Sequence, residues 1–122
     1  LLGIQTVVGG KSRSESVYNG LKAVDPQCRW GAVHDAARPC LPRASIDAVF
    51  AATLESRAAI LACPCHSTVK RVDEGRRVVN TVPRQNLWLA QTPQCFETKL
   101  LMRGYEECSD RAGATDEARA VH

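Results

Sequence analysis

The sequence has few of the features that mark membrane, exported or nucleic-acid-binding proteins. Its 122 residues include two tryptophans, two tyrosines and two phenylalanines, and the formal charge of +3 is spread along the chain without a block of one sign. No apolar run approaches the roughly 18 residues that a membrane span requires, and the start lacks a signal-peptide pattern. Composition therefore gives no support for a membrane span, for export or for nucleic-acid binding.

Cysteine is abundant, with six residues, but the spacing of metal and redox motifs is missing. No Cys-x-x-Cys occurs, and the one cluster, Cys63-Pro64-Cys65-His66, fits neither a zinc knuckle nor a redox motif. We expect reduced thiols, several of them acting as small buried apolar groups. This usage favours the cytoplasm, or a plastid if the source is a plant or an alga.

The Walker and G-x-G-x-x-G fingerprints are absent too, although a glycine pair stands before a helix. Residues 4–8 are rich in β-branched side chains and predict a short buried strand that ends at Gly9 and Gly10. Ser12 and Glu15 have the spacing of a capping box, which places a helix start there. Free N–H groups and the helix dipole at such a start can bind an anion. A plain strand-to-helix turn explains the same residues.

A carboxylate follows the next apolar run directly. Residues 30–33 predict a strand, and Asp35 and Arg38 come just after it. In an open parallel sheet, ligands bind beyond the carboxyl ends of strands, so Asp35 is placed for chemistry. Its hard oxygens and the Arg38 guanidinium suit a Mg²⁺-phosphate ligand. A solvated strand end with a surface salt bridge is the alternative.

The same stretch contains a histidine next to an aspartate, a pair that a Ser-His-Asp hydrolase would use. Adjacent residues of a strand point to opposite faces of the sheet, so His34 and Asp35 cannot pair with each other. The sequence therefore does not support a hydrolytic triad.

The order of the elements predicts one layered α/β domain. Strand-like runs at residues 4–8, 30–35 and 58–63 alternate with helical patterns that begin near Ser12 and Ser45. This alternation is typical of parallel strands joined by right-handed crossovers. We therefore expect the three strands to pair in parallel.

The pattern changes after residue 66, where two β-prone runs flank a turn. Residues 68–72 and 77–82 enclose a turn of three residues, 73–75, which predicts a hairpin arm over about residues 66–86. Many of its side chains are basic: Lys70, Arg71, Arg76, Arg77 and Arg84. Such a ribbon either needs a partner to cover its edges or uses charge to keep partners off, and both interpretations stay open.

The last third of the chain predicts a loop and two helices. Residues 87–96 read as a polar loop, with Gln91 and Gln94 at a small-molecule rim or in a solvent-facing turn. A helix over residues 98–108 follows. Thr115 or Asp116 could then cap a final helix.

Six segments together resemble one family, the 2-C-methyl-D-erythritol 4-phosphate cytidylyltransferases of the non-mevalonate isoprenoid pathway. They occur in the family's order, with compatible spacing, over nearly the whole chain. The segments are Gly9-Gly10 with the helix start at Ser16-Val17, Val33-His34-Asp35-Ala36-Ala37-Arg38-Pro39, Thr68-Val69-Lys70-Arg71, Thr81-Val82-Pro83-Arg84 through Leu87-Trp88, Ala90-Gln91-Thr92-Pro93-Gln94 with Phe96, and Thr115-Asp116-Glu117-Ala118.

This resemblance implies a partial Rossmann-like nucleotidyltransferase sheet over residues 1–122, with the hairpin as a protruding arm. It implies that CTP and methylerythritol phosphate react, with Mg²⁺, to give 4-diphosphocytidyl-2-C-methyl-D-erythritol and pyrophosphate. It also implies a homodimer whose arms interlock. By the family pattern, Gly10 and Ser16 would contact CTP, and Asp35 would hold the metal and approach the triphosphate.

The resemblance also implies which residues surround the acceptor substrate. Thr68, Thr92 and Thr115 would be hydroxyl donors around methylerythritol phosphate. Arg84 would be the catalytic residue that orients this phosphate for attack, in the site of the neighbouring subunit. Arg38 would have a further phosphate role.

The chain departs from the family pattern at three places. A Gly-rich first loop with its Arg and Lys would precede Leu1, and a later Lys would follow His122, which indicates a fragment of a longer protein. Each lost charge-stabilising group can cost on the order of 10²–10³ in rate, so we expect the chain alone to be nearly inactive. Lys11 stands where family members often have an acid.

Two alternatives remain beside this interpretation. The nucleotide half is shared with cytidylyltransferases that act on ribitol 5-phosphate or another polyol phosphate. The chain could also be a catalytically inactive fragment that dimerises through the arm.

Overall fold

A computed structural model describes residues 3–107 of the protein. Its helices and strands, in chain order, are α1 (Arg13–Ala23), β1 (Trp30–Val33), α2 (Arg43–Ser56), β2 (Ala58–Pro64), β3 (Val69–Val72), β4 (Val78–Val82), β5 (Trp88–Glu97) and α3 (Thr98–Glu107). Both helices and sheet contribute, so the predicted α/β class is confirmed. The predicted final helix near Thr115 lies outside the described residues.

The capping box predicts the start of α1 correctly. Ser12 is the N-cap, and its hydroxyl accepts a hydrogen bond from the Glu15 N–H at 3.1 Å. Glu15 reaches back and accepts from the Lys11 N–H at 2.6 Å. The first contact satisfies an N–H group of the first turn that has no intrahelical partner, and the second satisfies the N–H of the residue before the N-cap.

The main sheet is antiparallel, so the expectation of parallel pairing is wrong. The three strands lie in the order β1-β5-β2, and β5 pairs antiparallel with both neighbours. β1 and β2 do run in the same direction, as their connection through α2 requires, but β5 separates them. The predicted polar loop at residues 87–96 is in fact this central strand. Sequence pattern missed it because its residues 92–96 are buried on both faces and do not alternate.

Helices cover both faces of β5. Cys95 is buried on the side of α2, where it hydrogen-bonds to the side chain of Thr53. The next residue, Phe96, points to the opposite face and packs with Leu21, Leu101 and Tyr105 of α1 and α3. Burial of these large apolar side chains supplies most of the stabilisation of this domain.

Residues 4–8 form no strand, which corrects the prediction for this segment. Ile4 is 93% exposed and Val8 is 86% exposed. A strand needs a neighbour for its backbone N–H and C=O groups, and no described strand pairs with this segment. The β-branched composition alone therefore did not produce a strand here.

Helix α2 buries only a narrow apolar stripe. Val49 is buried, whereas Leu54 is 62% exposed. The helix ends at Arg57, which adopts a left-handed conformation (φ 68°). The Arg57 N–H donates to the Thr53 carbonyl at 2.8 Å, so this residue closes the last turn.

The hairpin is confirmed as a separate two-stranded sheet of β3 and β4. Asp73 holds its turn, because its carboxylate accepts from the Arg77 N–H at 2.8 Å and its own N–H donates to the Arg77 carbonyl at 3.0 Å. Across the strands, the Lys70 ammonium donates to the Thr81 hydroxyl at 2.6 Å. The ribbon is exposed along most of its length. Nowhere in residues 3–107 is there a helix with the length and apolarity to cross a bilayer.

Candidate active site

Two consecutive hydrogen bonds link the glycine pair to the start of α1. The Gly10 N–H donates to the Ser16 hydroxyl at 2.9 Å, and this hydroxyl donates to the Ser12 carbonyl at 2.8 Å. A side chain at residue 10 would collide with Glu15, so glycine is required for this close approach. The structure thus joins Gly10 and Ser16, the two residues predicted for the nucleotide. An anion at this helix start would have to displace Glu15 from the Lys11 N–H.

Asp35 lies just past the end of β1, as predicted, and stands between two guanidinium groups. Its Oδ1 is 3.6 Å from Arg13 on α1, and its Oδ2 is 3.3 Å from Arg38. The Asp35 side chain is 38% exposed, so it faces solvent and not the core. Water screens the attraction at such exposure, and each ion pair contributes at most about 1 kcal/mol to folding. The arrangement is better suited to binding charge than to stabilising the fold.

Thr92 on β5 is anchored to the same turn. Its hydroxyl oxygen accepts a hydrogen bond from the Asp35 N–H at 3.1 Å and lies 2.9 Å from Nδ1 of His34. The Nε2 atom of His34 is 3.0 Å from the Arg38 carbonyl. The strand pairing explains this proximity, because Val33 is opposite Gln94, two residues after Thr92.

Two residues of this site were missed in the sequence. Arg13 was not predicted, although a basic residue in the first turn after a glycine pair is a signal that could have been used. His34 was considered only as a member of a hydrolytic triad. The argument against a hydrolytic triad still holds, because the ring of His34 contacts Thr92 and Arg38.

A cleft borders this group of residues. It has a volume of about 350 Å³, and both Arg38 and Thr92 line it. Gln91, predicted at a small-molecule rim, lies on its wall, whereas Gln94 is buried in the sheet. The cleft is at the lower end of the volumes typical of small-molecule sites.

Thr68 and Arg84 lie at the base of the hairpin, just before β3 and just after β4. Arg84 donates a hydrogen bond from its Nη1 to the His66 carbonyl. The hairpin base meets the sheet where Pro64 pairs with Trp88, four residues before Thr92 on β5. The structure brings together Asp35, Arg38 and Thr92. Thr68 and Arg84 stand at the hairpin base, where Arg84 contacts His66. Thr115 lies outside the described residues.

The cysteines have mainly structural surroundings. Cys65 and Cys95 are buried, and burial raises the pKa of the Cys95 thiol, although its hydrogen bond to Thr53 opposes the change. Cys63 is half-buried and accepts a hydrogen bond from the Gln91 amide at 3.3 Å. Within residues 3–107, no three His, Cys, Asp or Glu side chains stand together as metal ligands. Raised pKa and burial both make the Cys95 thiol a poor nucleophile.

Comparison of sequences identifies relatives of this chain. The sequence model of the IspD family, 2-C-methyl-D-erythritol 4-phosphate cytidylyltransferase, matches residues 2–122. Enzymes of that name from Haemophilus ducreyi and Dechloromonas aromatica are 46% identical over 119 residues and 49% identical over 117 residues. The alignments cover 97% and 93% of this chain but 51% and 50% of the relatives. The chain thus spans about half the length of these relatives.

Solved structures give the same result for the fold. The crystal structure of the Francisella tularensis cytidylyltransferase has a TM-score of 0.83 and 42% identity, and that of the Thermus thermophilus enzyme has 0.81 and 34%. Each match covers 93% of this chain and 55% of the other. This likeness confirms the predicted nucleotidyltransferase fold, present here in part. The chain belongs to the 2-C-methyl-D-erythritol 4-phosphate cytidylyltransferase family.

Proposed function

We propose that the protein containing this chain transfers the cytidylyl group of CTP to 2-C-methyl-D-erythritol 4-phosphate. The observation that carries the proposal is the position of Asp35, which stands half-exposed at a strand end between two guanidiniums. The names of the relatives supply the substrate. In this reaction an oxygen of the acceptor phosphate attacks the α-phosphorus of CTP, and pyrophosphate leaves with the electron pair of the broken bond.

The chemistry of this transfer agrees with the residue types at the site. The nucleophile is already an anion, so no general base is needed. The protein has to bring two anions together and stabilise charge in the transition state. Arg13 and Arg38 supply fixed positive charge on the two sides of Asp35.

We propose that Asp35 also binds Mg²⁺. This ion is usually held by one or two carboxylates together with substrate phosphates and water, and not by a full set of protein ligands. A site with one carboxylate beside phosphate-binding arginines fits that coordination. When bound, the ion would neutralise charge on the triphosphate.

The remaining roles follow the family pattern. We assign Gly10 and Ser16 to CTP, because their hydrogen bond shapes the loop before α1. The acceptor substrate is assigned to Arg38, Thr68, Thr92, Thr115 and Arg84. Thr68 and Arg84 lie at the base of the exposed hairpin, and we propose that they act in the site of a neighbouring subunit. The cytoplasmic location expected from cysteine usage stays a prediction.

An assay of the full-length protein tests the substrate. Pyrophosphate release is measured with CTP and either methylerythritol phosphate or ribitol 5-phosphate. We expect turnover with the first acceptor and little with the second. Turnover of ribitol 5-phosphate alone would support the polyol-phosphate alternative, and no turnover of methylerythritol phosphate excludes our proposal.

We further propose a homodimer formed through the hairpin arm. Three valines of the ribbon are at least half exposed and offer apolar area to a partner: Val72, Val78 and Val79. Sedimentation velocity of the full-length protein, with and without residues 71–77, tests this. A dimer that becomes a monomer on deletion is expected, with circular dichroism as the check that the main sheet stays folded. A monomer in both forms, or a dimer in both, contradicts a dimer built on the arm.

A further inference from the structure

His34 makes a contact with each of its ring nitrogens although its side chain is exposed to solvent. Its Nε2 atom is 3.0 Å from the Arg38 carbonyl oxygen, and its Nδ1 atom is 2.9 Å from the Thr92 hydroxyl oxygen. The ring therefore joins strand β5 to the turn that carries Asp35 and Arg38.

The partners of the ring determine where its proton lies. A carbonyl oxygen can only accept, so Nε2 must carry the hydrogen in its contact with Arg38. In a neutral imidazole, Nδ1 then has a lone pair and no hydrogen. With the ring in this neutral form, the Thr92 hydroxyl is the donor in its contact with His34.

The Thr92 hydroxyl therefore makes two hydrogen bonds within the protein. Its one hydrogen points to His34, and one of its two lone pairs accepts the Asp35 N–H at 3.1 Å. The residue is only 6% exposed, so it has little freedom to turn. One lone pair remains for a ligand.

We propose that His34 is a positioning residue that directs the Thr92 hydroxyl. Thr92 then meets the acceptor substrate as a hydrogen-bond acceptor. Its partner is a hydroxyl group of the polyol, so Thr92 accepts a hydrogen bond from the substrate and is not the hydroxyl donor that the family pattern suggested. This inference rests on the proposed cytidylyl transfer and refines how that site recognises its acceptor.

Two substitutions of His34 distinguish its two contacts, because each variant keeps one contact and loses the other. In His34→Asn the side-chain amide takes the place of Nδ1 and can still accept from Thr92. In His34→Gln the amide takes the place of Nε2 and can still donate to the Arg38 carbonyl. In the full-length enzyme we expect His34→Asn to keep the KM for methylerythritol phosphate within about twofold, whereas His34→Gln raises it roughly threefold to tenfold, the size of one lost hydrogen bond. The KM for CTP should change little in both.

Substitutions of Thr92 give the reciprocal test. Thr92→Ser keeps the hydroxyl and should leave the KM for the acceptor near that of the wild type, whereas Thr92→Val should raise it as His34→Gln does. Equal acceptor KM values for His34→Asn and His34→Gln, or a rise in the KM for CTP as large as that for the acceptor, would overturn the proposal.

A spectroscopic measurement tests the inference without turnover. Long-range ¹H–¹⁵N spectra of the ligand-free full-length protein, labelled at histidine, report the tautomer, and the signal of His34 is assigned by its loss in His34→Asn. We expect hydrogen on Nε2 and none on Nδ1 in the wild type, with a changed Nδ1 shift in Thr92→Val. Hydrogen on Nδ1 in the wild type refutes the inference. Since no substrate is present, this result is independent of whether methylerythritol phosphate proves to be the acceptor.

Discussion

The three-stranded sheet and the hairpin are built from similar β-prone residues but are stabilised in different ways. The middle of β5 is buried by helices on both of its faces. In the hairpin, every residue of the two strands is exposed or half-buried. The first region is therefore stabilised by apolar burial, and the second by its own backbone pairing and turn.

This difference indicates that the sheet and the hairpin have different roles. An isolated two-stranded ribbon is only marginally stable in water. The hairpin of this chain lacks a covering layer among the described residues, whereas the sheet holds Asp35 and Thr92 in a rigid frame. We interpret the sheet as the scaffold of the site and the hairpin as a surface for a partner.

The largest expected effect is on catalytic turnover and compares a residue of the hairpin base with a residue beside the sheet. Arg84→Ala, at the hairpin base of the full-length enzyme, should lower acceptor-dependent turnover on the order of 10²–10³-fold because a charge-stabilising group is lost. CTP binding should stay nearly normal. Asp35→Asn, on the sheet, is the comparison variant and should weaken both turnover and Mg²⁺-dependent CTP binding. Calorimetry of CTP binding beside a pyrophosphate assay measures both, and weakened CTP binding in Arg84→Ala would mean that this residue is assigned to the wrong substrate.

The next effect concerns the core beneath the sheet. Leu101→Ala should lower the free energy of unfolding of the 122-residue chain by about 2–5 kcal/mol, because Leu101 is 1% exposed and leaves a cavity. The matched control is Leu54→Ala, also on a helix but 62% exposed, for which we expect a change of about 0.5 kcal/mol or less. Urea unfolding followed by circular dichroism measures both. Equal losses would mean that burial in this structure does not govern stability.

A smaller effect should be confined to the hairpin. Asp73→Ala removes the carboxylate that accepts from the Arg77 N–H, which should lower the local opening free energy of the ribbon by about 0.5–1.5 kcal/mol. Amide hydrogen exchange should show faster exchange in β3 and β4 and no change in β5. Glu74→Ala, in the same turn, is the control. Faster exchange throughout β5 would show that the sheet and the hairpin unfold together.

The smallest effect is electrostatic and lies at the end of β5. The hydrogen bond from Arg57, at 2.6 Å, lowers the pKa of the Glu97 carboxyl below its ordinary value. Desolvation opposes this change, and the charges of Arg57, Arg29 and Arg103 add to it. A lowered pKa means that the contact stabilises the fold above the ordinary pKa of glutamate and that this contribution is lost as the pH falls through the depressed value.

Arg57→Asn should therefore raise the pKa of Glu97, observed by NMR titration of its carboxyl carbon. Asparagine is chosen because it tolerates the left-handed conformation of this residue. Arg29→Asn should raise the pKa less, since the Arg29 guanidinium is 3.9 Å from the carboxylate. A larger rise in Arg29→Asn than in Arg57→Asn would contradict the order of these contacts.

The parts of the structure that depend on near neighbours could be predicted from the sequence. The capping box at Ser12 and the hairpin turn at Asp73 both formed as expected, because each is made by residues a few positions apart. The position of Asp35 past the end of β1 followed from an apolar run that stops at a carboxylate. Residues 4–8 show the limit of such reasoning, since their composition suits a strand but no described strand pairs with them.

The sequence by itself determined several local elements, among them the helix start at Ser12 and the hairpin turn at Asp73, and, through six separated segments, the family. Only the tertiary structure decided that β5 enters between β1 and β2, because a strand buried on both faces has no alternating pattern to reveal its direction or its neighbours. The same insertion brings Thr92 to His34 and Asp35 across more than fifty residues of chain. Contacts of that range depend on the packing of helices over both faces of the sheet, and no short stretch of residues contains that information.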